Sequence, residues 1–412
     1  MRRLTMIALV AAAGISFAAL AADPVKIGII MPLSGNSGNA GKSAVAAMEL
    51  AADIINTPHP GMAGLPLGAG AGLPKLGGAK IQLVIADHQG NPSEGQNQTL
   101  RLITQEHVVA MVGSYHSNVS FTATAVSERY GIPFVVGDSV AANITGRGYK
   151  WVFRTTPIAS DFANNYMEFL NGLKKAGRPV GTLAIVYENT DYGTSVSGSV
   201  RDAAKAHGID VVASIPYNAN GADVSPQVIQ MKEKNPDAII FISYTADSIL
   251  YMKTMKNLDY MPKVVIGDDS GFSDPAFIAG VADLAQGAIN RSAWDVGKKG
   301  SVTAIINDLY TKKTGHGLDD TSGRDMQALL VLADAINRAG STKPDAIQKA
   351  LRETDLKPGQ LMMGYKGVKF DATGQNTLAA TYLIQLIGKE YIAVWPQDKA
   401  QHPLVYPFKG WK

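Results

Sequence analysis

Four successive residues, Tyr115-His116-Ser117-Asn118, close an apolar run and open a helical pattern. A helix start offers N–H groups with no partner inside the helix, at the positive end of the backbone dipole. A serine hydroxyl adds one more donor, and the set suits a carboxylate. Capping alone also explains these residues, with Ser117 or Asn118 as the helix N-cap, and the two roles are compatible. Gly137-Asp138-Ser139-Val140 ends the next apolar run, and Asp268-Asp269-Ser270 ends a later one. A carboxylate at 268–269 can take a ligand ammonium by charge-assisted hydrogen bonds, or it can cap the following helix. Tyr192 and Tyr244 stand just beyond two further runs. Each can cover an aliphatic side chain while its hydroxyl bonds polar groups; ordinary packing accounts for them equally.

Other chemistry finds less support. GNSGNAGKS, Gly35 to Ser43, resembles a phosphate loop, but that loop needs four residues between its first glycine and Gly-Lys-Ser. Here Gly35 and Gly41 are separated by five. The segment reads instead as a glycine-rich turn opening a helix. His59, His88, His107 and His116 miss the short spacings of zinc motifs. Neither Ser114 nor Ser117 stands in a Gly-x-Ser-x-Gly elbow, and no base is identified for them. With no cysteine in the chain, thiol catalysis and thiolate-held metals are excluded. No cofactor is expected, and the chain reads as a binder rather than an enzyme.

The elements that hold these residues alternate. Apolar runs at 26–31, 81–87, 108–113 and 132–137 read as strands, with helical patterns at 43–56, 92–106 and 118–130 between them. The rhythm resumes with strands at 182–187, 210–217, 237–244 and 263–268. Continuous apolar strands between helices imply parallel sheets covered on both faces. Two such blocks, 25–150 and 156–290, predict two doubly wound domains, whose ligands bind beyond the carboxyl ends of the strands. Residues 57–79 are rich in Gly and Pro without period and read as a surface loop or flap. The last block holds helical patterns at 301–314 and 322–339 and a β-rich tail.

Residues 1–22 read as a secretory signal peptide. Arg2 and Arg3 form its positive end, Leu4 to Leu20 its apolar centre, and Ala19-Leu20-Ala21 its cleavage site. The mature chain is expected to begin near Ala22, outside the cytoplasm, as a soluble monomer in the periplasm. The formal charge of +3 then loses two arginines, and no dense basic run marks a nucleic-acid surface. The 412 residues suffice for two domains that fold without disulfides.

In order and spacing these segments resemble the type I periplasmic solute-binding proteins of ABC importers, in the leucine/isoleucine/valine-binding branch. The marks are KIGIIMPLSG followed by AGKSAVAAMELAADIIN, then GNPSEGQNQTLRLITQEHVVAMVGSYHSNVS, YGIPFVVGDSVAANITGRGYKWVFRT, YENTDYGTS and the tail YIAVWPQDKA with PLVYPFKGW. The resemblance covers essentially the whole mature chain. It implies two α/β lobes around a cleft, joined by three hinge crossings. One lobe would take 23–155 and 290–372, the other 156–289 and 373–412. It implies that Ser117 and the backbone near Ser139 hold a ligand carboxylate, that Asp269 holds its α-amino group, and that Tyr192 and Tyr244 close from the opposite lobe. Tyr115, His116, Asp138, Val140, Ser270 and Arg324 complete the expected site. Val140 replaces a usual threonine, Asp269 a longer glutamate, Ala40 an aromatic, and Arg324 a frequent tyrosine. Arg324 would then pair with Asp269 or recruit a second carboxylate if it faced the cleft. The implied role is capture of a small amino acid, branched-chain or otherwise aliphatic, and delivery to a membrane permease. Relatives of this branch also bind amides, urea-like compounds and aromatic acids. A secreted hydrolase using Ser117 is the rival from another class.

Overall fold

The computed structural model describes residues 22–268 and 270–412. Apart from Ala22, the segment read as a signal peptide lies outside the described residues, as does Asp269. The first sheet contains β1 (Val25–Met31), β2 (Ile81–Asp87), β3 (Ala110–Gly113), β4 (Phe134–Val136) and β5 (Val152–Arg154). Their order is β2-β1-β3-β4-β5, and every pairing is parallel. The second sheet begins with β6 (Thr182–Glu188), β7 (Asp210–Tyr217), β8 (Ala238–Ile242), β9 (Val264–Asp268) and β10 (Ile289–Ser292). After a small hairpin of β11 (Asp355–Leu356) and β12 (Val368–Lys369), the tail adds β13 (Tyr382–Ile387) and β14 (Glu390–Trp395). The order is β14-β13-β10-β9-β8-β6-β7, with β13 and β14 antiparallel. The fold is therefore α/β in two doubly wound lobes, and an antiparallel edge completes the second. Central strands such as β8 are buried along their whole length, because helices cover both faces.

Sheet membership moves the expected lobe boundaries. A boundary at 290 cuts β10, which pairs with β9 and β13 and belongs wholly to the second sheet. The chain therefore crosses after Ser292. A boundary at 372/373 also falls early. Gln375 bridges Arg154, and the Asn376 N–H donates to the Arg154 carbonyl at 2.9 Å, so both residues still border the first sheet.

Two local readings also change. The first helix spans Gly38–Asn56 and so starts well before Ser43. Its opening turn packs on Pro32, where a Cβ at Gly41 would lie 1.8 Å from the Pro32 carbonyl oxygen. Glycine permits this approach while weakening the local helical signal. Segment 57–79 is no free flap, since Met62, Leu65 and Leu73 are buried in the main core. The Lys75 N–H donates to Asn337 Oδ1 on the long helix Asp320–Ala339. Apolar residues among the glycines pin the segment down.

Candidate functional site

The strand ends of the first lobe are joined by hydroxyls. Ser120 Oγ lies 2.9 Å from Ser114 Oγ and 2.7 Å from Ser139 Oγ, and Ser139 Oγ donates to the Tyr115 carbonyl at 2.9 Å. Loop 114–117 is thereby fixed to loop 138–141. Tyr115 adopts φ +82°, a backbone region that aromatic residues seldom occupy and that clusters at ligand sites. The helix that follows spans Ser117–Tyr130, with His116 as its N-cap and no side-chain cap bond. The capping role considered for Ser117 or Asn118 is therefore not taken up. Instead Ser117 Oγ accepts from the Ala141 N–H at 3.4 Å, which leaves its hydroxyl hydrogen for another acceptor.

Behind this loop lies Arg154, at the end of β5 and fully buried. It donates to the carbonyls of Ser139 and Ala141, to Thr145 Oγ1 and to Gln375 Oε1 at 2.7–3.2 Å. All four acceptors are neutral. Burial draws the guanidinium down to about 9, so it remains a cation at neutral pH.

The second lobe supplies aromatics. Glu188, at the end of β6, accepts from the N–H groups of Thr190 and Gly193 and orders the start of helix Asp191–His207. Burial raises its carboxyl above the ordinary glutamate value. Tyr192 is in the first turn of that helix, and its hydroxyl donates to Asp268 Oδ1 at 2.8 Å. The Tyr244 ring stands 5.4 Å from Tyr192, 5.7 Å from Tyr115 and 4.9 Å from His116, centroid to centroid. Aromatics of both lobes thus meet across the cleft. Asn36 Nδ2 also donates to Asn220 Oδ1 at 2.6 Å, and the Ala142 N–H to Ser195 Oγ at 3.1 Å. The lobes are closed on one another.

Deeper lies a run of alternating charges. Asp268 accepts from Tyr166 at 2.5 Å and from Arg291 Nε at 2.9 Å. Arg291 Nη1 reaches Asp320 at 3.2 Å, and its guanidinium lies 4.0 Å from the centre of the Phe162 ring. Asp320 pairs with Arg324 Nε at 3.0 Å, and Arg324 pairs in turn with Asp138. Arg324 also donates to the Asp138 carbonyl at 2.7 Å and to Thr156 Oγ1 at 3.0 Å. It is fully buried, and among the described residues its guanidinium serves this run. Since Arg291 lies on β10 and Asp320 begins a helix packed on the first lobe, the run crosses between lobes. Of the expected site residues, Tyr115, His116, Ser117, Tyr192 and Tyr244 lie at the strand ends and helix starts where the lobes meet, Ser139 and Val140 are buried in the adjoining loop, and Asp138 and Arg324 belong to the buried run.

The family profile described as periplasmic binding protein matches residues 24–390. The chain belongs to the periplasmic binding protein family. It is 32% identical over 411 residues to the Leu/Ile/Val-binding protein homolog 8 of Brucella suis, covering 95% of each chain. Among solved structures it is similar to the branched-chain amino acid binding protein LivJ of Streptococcus pneumoniae in complex with isoleucine (21% identity, 91% and 100% of the two chains, TM-score 0.76). It is also similar to a solute-binding protein from R. palustris in complex with benzoate (17% identity, 90% and 95%, TM-score 0.75). Both likenesses establish the shared fold.

Within this periplasmic binding protein, sequence reasoning did not single out Arg154, Arg291, Tyr166 or Asp320. Arg154 and Arg291 occupy short strands whose neighbours gave no sign that a charge was buried. One available signal was the four-residue spacing of Asp320 and Arg324, which puts opposite charges on one helix face.

Proposed function

We propose that this periplasmic binding protein is the extracytoplasmic receptor of an ABC importer and captures a small carboxylate, an α-amino acid, between its lobes. The observation that carries the reading is Arg154. A buried guanidinium whose hydrogen-bond acceptors are all neutral leaves positive charge directly behind Ser139 and Ala141, offset in part by the Asp161 carboxylate. A ligand carboxylate at Ser117 and loop 138–141 offsets that charge in a medium of low dielectric. Tyr192 and Tyr244 from the second lobe cover the ligand, and Asp269 receives its ammonium.

Nothing is made or broken in this cycle. An open–closed equilibrium is biased by ligand contacts to both lobes, and a membrane permease reads the closed form. The Leu/Ile/Val-binding name of the Brucella relative and the isoleucine held by LivJ support the amino-acid reading.

Native mass spectrometry of protein purified from the periplasm is expected to show a retained small molecule. Calorimetry then compares amino acids with their 2-oxo analogues. Amino acids should bind more tightly, and Asp269→Asn should remove the difference. Tighter binding of an oxo acid or an aromatic acid overturns the amino-acid reading.

A further inference from the structure

Beside the carboxylate position, the closed cleft retains a cavity of about 120 Å³. His116 and Asn118, the residues on either side of Ser117, form part of its wall. Ser34, Asn36, Ser37 and Gln89 of the first lobe and Thr190, Asn220 and Tyr244 of the second contribute the rest of its polar lining. Among the described residues, no Lys, Arg, Asp or Glu lines it. The Asn36–Asn220 hydrogen bond joins the lobes at its wall, and Asp247 holds that loop by accepting from the Asn220 N–H at 2.9 Å. The wall is therefore complete only when the lobes are together.

Two of these groups have unused capacity. His116 is 8% exposed. Its Nε2 lies 3.2 Å from Ser37 Oγ, while among the described residues its Nδ1 is buried without a hydrogen-bond partner. Asn118 Oδ1 is likewise buried and without a partner. Burial and the neighbouring His88 draw the His116 imidazole down to about 3, so it is neutral. The Ser37–His116 pair can take either tautomer, making Nδ1 a donor or an acceptor. A buried polar atom left unmatched is costly, and so is an ion placed where no counter-charge faces it. An aliphatic group meets the first cost here, and a carboxylate meets the second, the more so because Asp87 stands behind Ser34 and Gln89.

We propose that this cavity is the subsite for the far end of the ligand, and that it selects an uncharged group able both to donate and to accept hydrogen bonds, a carboxamide. The inference rests on the receptor reading above and replaces the aliphatic side chain expected from the family resemblance. Asn118 accepts from the amide N–H₂, and the Ser37–His116 pair supplies whichever partner the amide oxygen or nitrogen requires.

The test is calorimetry with two near-isosteric series. One is L-asparagine, L-aspartate and L-leucine. The other is the same compounds without the amino group: succinamate, succinate and 4-methylpentanoate. In whichever series binds, the amide is expected to bind at least tenfold more tightly than the other two. Asn118→Leu should cut that preference at least tenfold while leucine or 4-methylpentanoate binds as well as before. Ser37→Ala is the second variant; Ser37 makes no side-chain cap bond, so its loss leaves the helix start intact, and it should also reduce the preference. If leucine, aspartate or their deaminated forms bind most tightly, or both variants keep the full preference, this inference falls and the receptor reading stands. If folded protein binds no member of either series at millimolar concentration, both fall.

Discussion

Replacing Arg291 with methionine tests whether the buried charges act as one unit. The guanidinium lies 2.9 Å from Asp268 and 3.2 Å from Asp320, and all three side chains are fully buried. At an effective dielectric of about 20, Coulomb's law gives roughly 5–6 kcal/mol for each such pair before desolvation is set against it. Removing one member of a buried pair leaves the other charged and unmatched, at a net cost of about 3–5 kcal/mol. Methionine keeps part of the apolar contact with Phe162, so the loss is mainly electrostatic. Urea unfolding should therefore show Arg291→Met destabilised by about 3–5 kcal/mol. Adding Asp268→Asn removes a negative charge beside the lost positive one; Tyr166 and Tyr192 donate to different Asp268 oxygens, so the Asn oxygen keeps one of them and the other hydroxyl turns to accept from the Asn amide N–H. The double variant should recover most of the deficit, with a coupling of at least about 1 kcal/mol. A single-variant loss below about 1 kcal/mol, or a double variant as unstable as the sum of its singles, refutes the reasoning.

Ser117→Ala should weaken ligand binding by about 1–3 kcal/mol, the range for a hydrogen bond to a charged group; an unchanged dissociation constant in folded protein removes Ser117 from the site. Burial raises the Asp319 carboxyl from 3.8 to about 6. Its contribution to stability is therefore complete below about pH 4 and is lost as pH rises through about 6. Asp319→Asn keeps an acceptor for the Ser322 N–H and should gain about 2–3 kcal/mol at pH 8 but not at pH 4; equal stability at pH 8 in thermal or urea unfolding counts against it. N-terminal sequencing of periplasmic material should begin near Ala22, and an intact Met1 on membrane-bound protein overturns the export reading.

The parts of this fold that depend on period were legible from sequence. Runs such as 182–187 and 210–217 are apolar because both faces of the sheet are covered, and the strands fall where the runs do. The place of Ser117 at a helix start was legible because a strand end followed by a helix start is a local pattern. Buried charge was not legible. The Asn290-Arg291-Ser292 end of β10 is wholly buried, yet three polar residues in a row resemble a surface turn. The approach of Asp268 and Asp320, 23 and 29 residues away in sequence, helps make Arg291 tolerable. Arg324 drew attention for its departure from a family pattern, and its place followed from Asp138, 186 residues distant. The pinned segment 57–79 was missed because scattered Met and Leu among glycines carry no period.

The charge run also sets where this chain can be cut and rejoined. Its members divide between the lobes: Asp268 and Arg291 lie on strands of the second sheet, while Asp320, Arg324 and Asp138 lie with the first. A chimera that takes one whole lobe from a relative would seat Arg291 or Asp320 against a surface not made for it. The loop ends and first helical turn that carry Ser37, His116 and Asn118 lie outside this run. Grafting those segments therefore leaves the charge pairing intact, whereas exchanging lobes must carry both halves of it together.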